Sequence, residues 1–198
     1  MKPQHLVLSG SFSTGKTTVL EQLKTNATKH HVVQEGGRTV LSMKEKQVDT
    51  MTENERRKVQ QEIRDFYLLN EKKAEQEGKS AVMDASLIEV LAYGMDVMTI
   101  KELHELSELL KKRSEVYRVV YFPVDGGVTL EKDGLRHTND DFRKTIDSRI
   151  LHTIKEFQFQ CVELVTLDKQ DRIHMTQREL QTMAIEPREL SFGSKRTS

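Results

Sequence analysis

A stretch of small residues near the N-terminus has the composition and spacing of a phosphate-binding loop. It reads GSFSTGKTT over residues 10–18 and follows the short apolar run LVL. The pattern of glycine, four residues, glycine, lysine and threonine allows the backbone to curl until several N–H groups face one anion. The helix that follows adds its positive end to this site. We therefore expect a nucleotide to be bound by Gly10, Ser11, Phe12, Ser13, Thr14, Gly15, Lys16, Thr17 and Thr18.

Two side chains of this loop have specific expected roles. Lys16 is expected to contact the outer phosphates, and the Thr17 hydroxyl is expected to ligate Mg²⁺. If the protein is a nucleotide-hydrolysing switch, the lack of the Asn-Lys-x-Asp pattern that reads guanine favours ATP over GTP. ATP and Mg²⁺ are therefore the predicted cofactors.

Two acidic residues at the ends of predicted strands are candidates for the chemistry. Asp84 ends an apolar strand, where a carboxylate can bind the metal or accept a proton from an attacking hydroxyl. The alternative for Asp84 is to cap the helix that starts near residue 86. Glu35 precedes two glycines, and it is expected either to act as the base or to be a solvated loop acid. The sequence alone leaves the base open between Asp84 and Glu35.

The longest polar segment of the chain, residues 123–140, contains three glycines. A loop of this length is usually functional or disordered, so we expect a lid that closes over the substrate. Arg136, within DGLR, is expected to bring positive charge to the transferring phosphoryl group; the alternative is a solvated charged loop. Arg143 is predicted to be an exposed helix residue with a supporting role. Arg38 is expected either to bind phosphate or to pair with Glu35.

Alternating strands and helices are expected to position these groups. The predicted strands cover about 5–9, 30–35, 80–84, 116–122 and 161–167, and the predicted helices about 16–26, 52–78, 86–97, 100–112, 139–157 and 170–184. This alternation predicts a parallel sheet covered by helices on both faces. Ligands bind beyond the carboxyl ends of the strands in such sheets. Glu35, Asp84 and segment 123–140 should therefore gather beside the phosphate loop.

Hydrophobic spacing identifies the buried faces of the longer helices. The predicted inward residues are Val59, Ile63, Phe66 and Leu69 in helix 52–78, and Phe142, Ile146, Ile150, Ile154 and Phe157 in helix 139–157. Capping boxes are predicted for Thr52 with Glu55 and for Thr99 with Glu102. These helices are expected to pack on the sheet through apolar stripes.

The bulk composition limits the classes of function. The chain has 198 residues with 31 basic and 31 acidic side chains, so no net charge recruits nucleic acid or an anionic membrane. The single cysteine, Cys161, excludes an internal disulfide framework and favours a cytoplasmic location; it is expected to be buried. No run approaches the roughly 18 apolar residues of a membrane span. We expect one domain over 1–186, including the lid, and a disordered tail over 187–198.

Five segments together resemble a known family. They are SGSFSTGKTTVLEQL for a phosphate loop, QEGGR for a strand-end Glu followed by Arg, VMDASLIEVLAYG for an Asp-Arg-Ser segment, DGLRHTNDDFRKTID for a lid, and LDKQDRI for a loop that borders adenine. Their order resembles the small AAA-like P-loop ATPases and kinases, a family that includes nicotinamide riboside kinase domains. The resemblance implies an α/β fold of the P-loop NTPase, nucleoside-kinase-like type. That fold is a three-layer sandwich with a five-stranded parallel sheet and a lid.

One position departs from the pattern of that family. The family commonly has an arginine directly after the third-strand Asp, and this chain has Ala85 there. The arginine is expected to contact a phosphate or hydroxyl on the acceptor side. The resemblance therefore implies an ATP site and does not identify the acceptor.

Three functional hypotheses follow from the sequence. The leading one is a Mg·ATP-dependent kinase that phosphorylates a hydroxyl of a nucleoside-like molecule or of a nucleic-acid 5′ end. The second is a switch that hydrolyses ATP or GTP slowly and acts through a protein partner. The third is a nucleic-acid-binding protein that phosphorylates 5′-hydroxyl ends, for which a short end-binding groove needs few cations. The sequence leaves the oligomeric state open.

Overall fold

The computed structural model describes residues 4–24, 29–44, 47–124, 139–165 and 168–189, with side chains described as far as 183 in the last helix. Within these residues five strands form one sheet: β1 His5–Ser9, β2 His31–Val33, β3 Ala81–Asp84, β4 Tyr117–Tyr121 and β5 Gln160–Glu163. Their order is β2-β3-β1-β4-β5, and each neighbouring pair is parallel. This confirms the predicted α/β class with a five-stranded parallel sheet.

The described helices alternate with the strands. They are α1 Lys16–Lys24, α2 Gly36–Ser42, α3 Glu53–Gln76, α4 Leu87–Gly94, α5 Ile100–Arg113, α6 Asp140–Glu156 and α7 Lys169–Glu189, with a 3₁₀ turn at Val48–Thr50. The predicted capping boxes of α3 and α5 are both present. None of the described helices combines the length and the apolar character needed to cross a membrane. α7 extends past the predicted end at 184, and the remainder of the predicted tail lies outside the described residues.

Successive residues of β1 point to opposite faces of the sheet, as they must in a pleated strand. Leu6 and Leu8 are fully buried against α1 and α7. Val7 is buried in the cluster on the opposite face, which includes residues of α3, α4, α5 and α6. The sheet is therefore the middle of three layers.

The inward face of α3 differs from the prediction. Val59 and Ile63 are buried as expected, but Leu69 is 67% exposed and Tyr67 is buried in its place. The buried residues after Ile63 are spaced four apart, at Tyr67 and Glu71. The predicted ones were spaced three apart, at Phe66 and Leu69. Glu71 could join this face because Arg113 and Tyr117 donate hydrogen bonds to its carboxylate. An acidic residue is not expected on a buried helix face, so the sequence did not indicate that this face continues to residue 71.

The helix α2 was not predicted, because its first two residues are glycines and glycine is a poor helix former. Gly36 begins the helix where α2 crosses α3 closely. A Cβ at Gly36 would lie 2.9 Å from the Phe66 ring and 3.0 Å from the Tyr67 ring. The glycine is therefore required by close packing at this crossing.

Cys161 lies on β5, at the edge of the sheet. Its side chain is half-buried and packs against the core, so it is less buried than expected. An edge strand has a neighbour on one side only, and β5 is covered less completely than the central strands. Burial and the nearby Glu163 raise the pKa of the Cys161 thiol to about 11.

Candidate nucleotide-binding and phosphoryl-transfer site

The phosphate loop joins the end of β1 to the start of α1. Gly10 has a φ of +148°, and a Cβ there would lie 2.4 Å from the carbonyl oxygen of Phe122. Only glycine therefore fits where the chain leaves β1. Ser13 and Gly15 also have positive φ values, of 54° and 88°. These positions curl the backbone around the start of the helix, as the motif predicts.

Lys16 is buried within this loop. Its Nζ donates hydrogen bonds to the carbonyl oxygens of Gly10, at 2.8 Å, and Ser11, at 2.6 Å. The Thr14 hydroxyl also donates to the Ser11 carbonyl, at 3.0 Å. These contacts place the ammonium group at the loop, where it is expected to meet nucleotide phosphates.

Two arginines from distant helices brace the backbone of the loop. Nη2 of Arg143 donates to the Ser13 carbonyl, and Nη1 of Arg172 donates to the Thr14 carbonyl, both at 3.0 Å. Each arginine is only 4% exposed, and burial lowers the pKa of Arg172. The prediction that Arg143 is an exposed helix residue was therefore wrong. Arg143 precedes the buried Ile146 by three residues on α6, so it shares the buried face of that helix.

Thr17 and Asp84 meet beside the loop. The Thr17 hydroxyl, in the first turn of α1, donates a 2.6 Å hydrogen bond to Oδ2 of Asp84, the last residue of β3. The alternative of a helix cap for Asp84 does not hold, because Ser86 caps α4 and accepts from the Ile88 N–H at 3.1 Å. The sequence placed Asp84 correctly at the carboxyl end of the sheet.

The Thr17 and Asp84 oxygens suit the predicted Mg²⁺. Mg²⁺ prefers oxygen ligands and usually needs one or two carboxylates, with waters and substrate phosphates completing its coordination. No group of three or more His, Cys, Asp or Glu side chains able to hold a metal occurs among the described residues. A hydroxyl and one carboxylate fit the kind of Mg²⁺ site that waters and phosphate oxygens complete.

Glu89 is a buried carboxylate of the site that the sequence analysis missed. It accepts hydrogen bonds from the Ser9 hydroxyl, from the Gly10 N–H at 3.1 Å and from the Ser86 N–H at 2.7 Å. Burial raises the pKa of Glu89, while these donors and the charge of Lys16 oppose that shift. The letters SLIE at 86–89 form a capping box, and that pattern could have drawn attention to Glu89. The residue ties α4 to the first residue of the phosphate loop.

Tyr67 connects the two strand ends that carry the predicted acids. Its hydroxyl donates to the Asp84 carbonyl at 3.0 Å and accepts from the Gly36 N–H at 2.9 Å. Burial raises the pKa of Tyr67, so the hydroxyl keeps its proton. Glu35 occupies the N-cap position of α2, but its side chain makes no capping hydrogen bond. The sequence prediction that Glu35 and Asp84 lie at one edge of the sheet is supported by this bridge.

A pocket adjoins the phosphate loop. Gly10 and Lys16 line it together with Glu35 and Glu89. Most of its wall is apolar and comes from α2, the 3₁₀ turn, α3 and α4, including Leu41, Val48, Met51, Val59, Ile63 and Val90. The pocket therefore offers room for a second molecule next to the place expected for the nucleotide phosphates.

The sequence predicted two further cations for the site. Arg136 and residues 125–138 of the predicted lid lie outside the described residues, so their roles stay predictions. Arg38 is exposed on α2.

Comparisons with known proteins show the family and the fold of this chain. A family model described as AAA domain matches residues 5–172. Among solved structures, one similar chain is that of a crystal structure of NadR protein in complex with NR, at 17% sequence identity and a TM-score of 0.65. The match covers 100% of this chain and 54% of the NadR chain, so the chain spans about half the length of that protein. A search of curated proteins found no match.

The two positive comparisons establish different things. At 17% identity the likeness to NadR shows a common fold. The family model covers most of the chain and includes the phosphate loop, Asp84 and the buried Arg172. The chain therefore belongs to the AAA domain family, within the small AAA-like P-loop proteins that its sequence motifs predict.

Proposed function

We propose that this protein is a Mg·ATP-dependent kinase that phosphorylates a hydroxyl group of a nucleoside-like small molecule or of a nucleic-acid 5′ end. The observation that carries the proposal is the pocket beside Lys16, which is lined by the carboxylates of Glu35 and Glu89. A kinase needs such a second site next to its phosphate loop, whereas ATP hydrolysis needs only water there. The NadR structure has NR as its ligand, which makes nucleoside-like acceptors the first class to test.

On this proposal, positioning and charge stabilisation supply most of the rate. The loop N–H groups and Lys16 bind the phosphates, and Arg143 and Arg172 keep the loop carbonyls in place. Thr17 and Asp84 would hold Mg²⁺, which supplies charge neutralisation at the phosphates when it is bound.

Glu35 is the proposed general base. The hydrogen bond from Thr17 associates Asp84 with the proposed metal site. The hydrogen bonds from Ser9, Gly10 and Ser86 associate Glu89 with the start of the phosphate loop and the start of α4. Glu35 lines the pocket from the start of α2. The acceptor oxygen forms a bond to the γ-phosphorus while the bond from that phosphorus to the β–γ bridging oxygen breaks. ADP leaves, and the hydroxyl proton passes to Glu35.

Transfer of labelled γ-phosphate from ATP tests this proposal. The panel contains nucleosides, nicotinamide riboside and a 5′-hydroxyl oligonucleotide, and Lys16→Ala protein is the matched negative control. A labelled product from one acceptor class, made by the wild-type protein and not by the variant, supports the kinase. Label released only as inorganic phosphate with every acceptor would contradict it.

A further inference from the structure

The α3 wall of the pocket carries two polar side chains among its apolar ones. Arg56 and Gln60 are four residues apart on α3, so they lie on one face of the helix, and both line the pocket. They precede Ile63 and Tyr67, which line the pocket further along the same helix. The polar pair therefore belongs to the pocket and not to the outer surface of α3.

The other charged groups of the pocket have partners within the protein. Asp96 receives hydrogen bonds from both terminal nitrogens of Arg149, at 2.7 and 2.8 Å. Lys16 is bound to the loop carbonyls, and Glu89 accepts from Ser9, Gly10 and Ser86. The positions of these side chains are thus explained by the fold itself.

Arg56 differs from them. Its Nε atom is buried and has no hydrogen-bond partner among the described residues. A buried donor on a charged group is costly when it is left unpaired, so a partner from a bound molecule is expected. The planar guanidinium group matches the paired oxygens of a carboxylate or a phosphate. Gln60, one turn along, adds an amide to the same site.

The rest of the pocket suits a ring. The aromatic side chains of Tyr93 and Phe142 line it, with ring centroids 6.2 Å apart and planes tilted by 58°. Ala85 also lines the pocket and contributes no charge there. An acceptor with both a planar ring and an anionic group would use the aromatic wall and the Arg56 wall together.

We propose that the phosphoryl acceptor is a small molecule with a planar ring and an anionic group, a carboxylate or a phosphate, and that Arg56 with Gln60 binds the anion. This inference rests on the proposed kinase function and names its substrate class. The aliphatic and aromatic wall, which a charged polynucleotide backbone would not match, favours a small molecule over a 5′-hydroxyl oligonucleotide.

Binding measured without turnover tests this inference. Calorimetry in the presence of Mg²⁺ and a non-hydrolysable ATP analogue would compare two matched pairs of compounds. One pair is nicotinic acid riboside and nicotinamide riboside, which differ by a ring carboxylate. The other is adenosine 3′-monophosphate and adenosine, which differ by a phosphate. A 5′-hydroxyl oligonucleotide is the competing ligand.

Three proteins make the comparison specific. Arg56→Gln removes the proposed anion site, and Lys58→Gln removes the same charge from an exposed position two residues away. We expect the wild-type protein to bind the anionic member of at least one pair about tenfold or more tightly than its neutral partner. Arg56→Gln should lose that preference, and Lys58→Gln should keep it. Arg56→Lys keeps the positive charge and loses the planar guanidinium group, so its preference for the anionic compound should be intermediate. This variant is used in place of Arg56→Gln if Arg56→Gln does not fold.

The outcomes separate this inference from the kinase proposal. Anion preference that depends on Arg56, without any phosphoryl transfer, would uphold the anion site of Arg56 and Gln60 but remove the kinase function, and with it the role of the bound molecule as phosphoryl acceptor. Phosphoryl transfer to neutral acceptors, with no preference for anions that depends on Arg56, would support the kinase function and remove the proposed anion site. The inference is overturned if none of the four small compounds binds, if the preference survives in Arg56→Gln, or if the oligonucleotide binds most tightly.

Discussion

The hydroxyl of Thr17 donates a 2.6 Å hydrogen bond to Oδ2 of Asp84. This contact joins the first turn of α1 to the carboxyl end of β3, which pairs directly with β1. A hydroxyl and a carboxylate are thereby held together where the phosphate loop ends. The arrangement favours a shared metal-binding role for the two residues and leaves Glu35 as the proposed base.

Replacing Lys16 by alanine should weaken Mg·ATP binding. The variant loses at least one charge-assisted contact to phosphate, about 1.5–3 kcal/mol, which is roughly ten- to a hundredfold in affinity. Calorimetric titration would measure the change. Lys24→Ala, at the exposed end of the same helix, is the control and should bind as the wild type does. Equal affinity of the Lys16 variant and the control would show that the loop does not bind nucleotide phosphates.

The roles of Asp84 and Glu35 can be distinguished by how the turnover of each variant responds to Mg²⁺. Asp84→Asn should lower turnover far more than it weakens ATP binding, by about 100-fold, and higher Mg²⁺ concentrations should restore part of the loss. Glu35→Gln should cause a loss of similar size that Mg²⁺ does not restore, because a base accepts a proton and not the metal. The measurement is kcat for each variant across a range of Mg²⁺ concentrations.

Two results would change this assignment. Turnover near the wild-type value in Glu35→Gln would return the role of base to Asp84 or leave catalysis to positioning alone. Full activity of Asp84→Asn at low Mg²⁺ would remove Asp84 from the metal site.

Arg143 should support ATP binding through the loop backbone. Arg143→Ala removes the donor to the Ser13 carbonyl, and we expect about tenfold weaker ATP binding from the loss of one charge-assisted hydrogen bond. Lys144→Ala changes the neighbouring, exposed residue of α6 and should have little effect. Calorimetry on both variants makes the comparison, and equal affinities would mean that the Arg143 contact does not organise the loop.

His5 should make the stability of the fold depend on pH. Burial, with a smaller effect of the Arg113 charge, lowers the pKa of His5 from 6.5 to about 4, and its Nδ1 accepts from the Ala81 N–H at 3.0 Å. Above pH 6.5 the imidazole is neutral in both the folded and unfolded chain, so its full contribution is present. As pH falls from 6.5 towards 4, the unfolded chain binds the proton first, and up to about 3 kcal/mol of stability is lost.

Urea unfolding at pH 7, 5.5 and 4 would measure this loss. His5→Asn keeps a side-chain acceptor and cannot be protonated, so its free energy of unfolding should fall less between pH 7 and pH 4 than that of the wild type. His152→Asn, which changes an exposed histidine of α6, is the control. The same pH dependence in wild type and His5→Asn would show that the buried imidazole is not responsible.

The local patterns of the sequence predicted much of this site. The spacing of Gly10, Gly15 and Lys16 identified the phosphate loop, and the alternation of elements placed Asp84 and Glu35 at one edge of the sheet. Each of these inferences used residues that are adjacent or regularly spaced in the chain.

The contacts that were missed join distant parts of the chain. Arg143 and Arg172 reach loop carbonyls that are 130 and 158 residues away in sequence, and Glu89 reaches Ser9 across 80 residues. A charged residue that falls in the spacing of an apolar helix face is buried only if a distant partner meets it, and the local sequence does not show that partner. Glu71 is a second example, because its burial depends on Arg113 and Tyr117 and the buried face of α3 was therefore predicted wrongly.

The most direct test of the kinase function is the stoichiometry of ATP consumption against phosphorylated product. A kinase keeps its phosphoryl group from water until an acceptor fills the site, so basal hydrolysis should be slow. Adding the correct acceptor should raise the rate of ATP consumption, with one phosphorylated acceptor formed for each ATP used. ATP consumption that no acceptor changes, and that a protein partner accelerates with release of inorganic phosphate, would contradict the kinase and identify a switch.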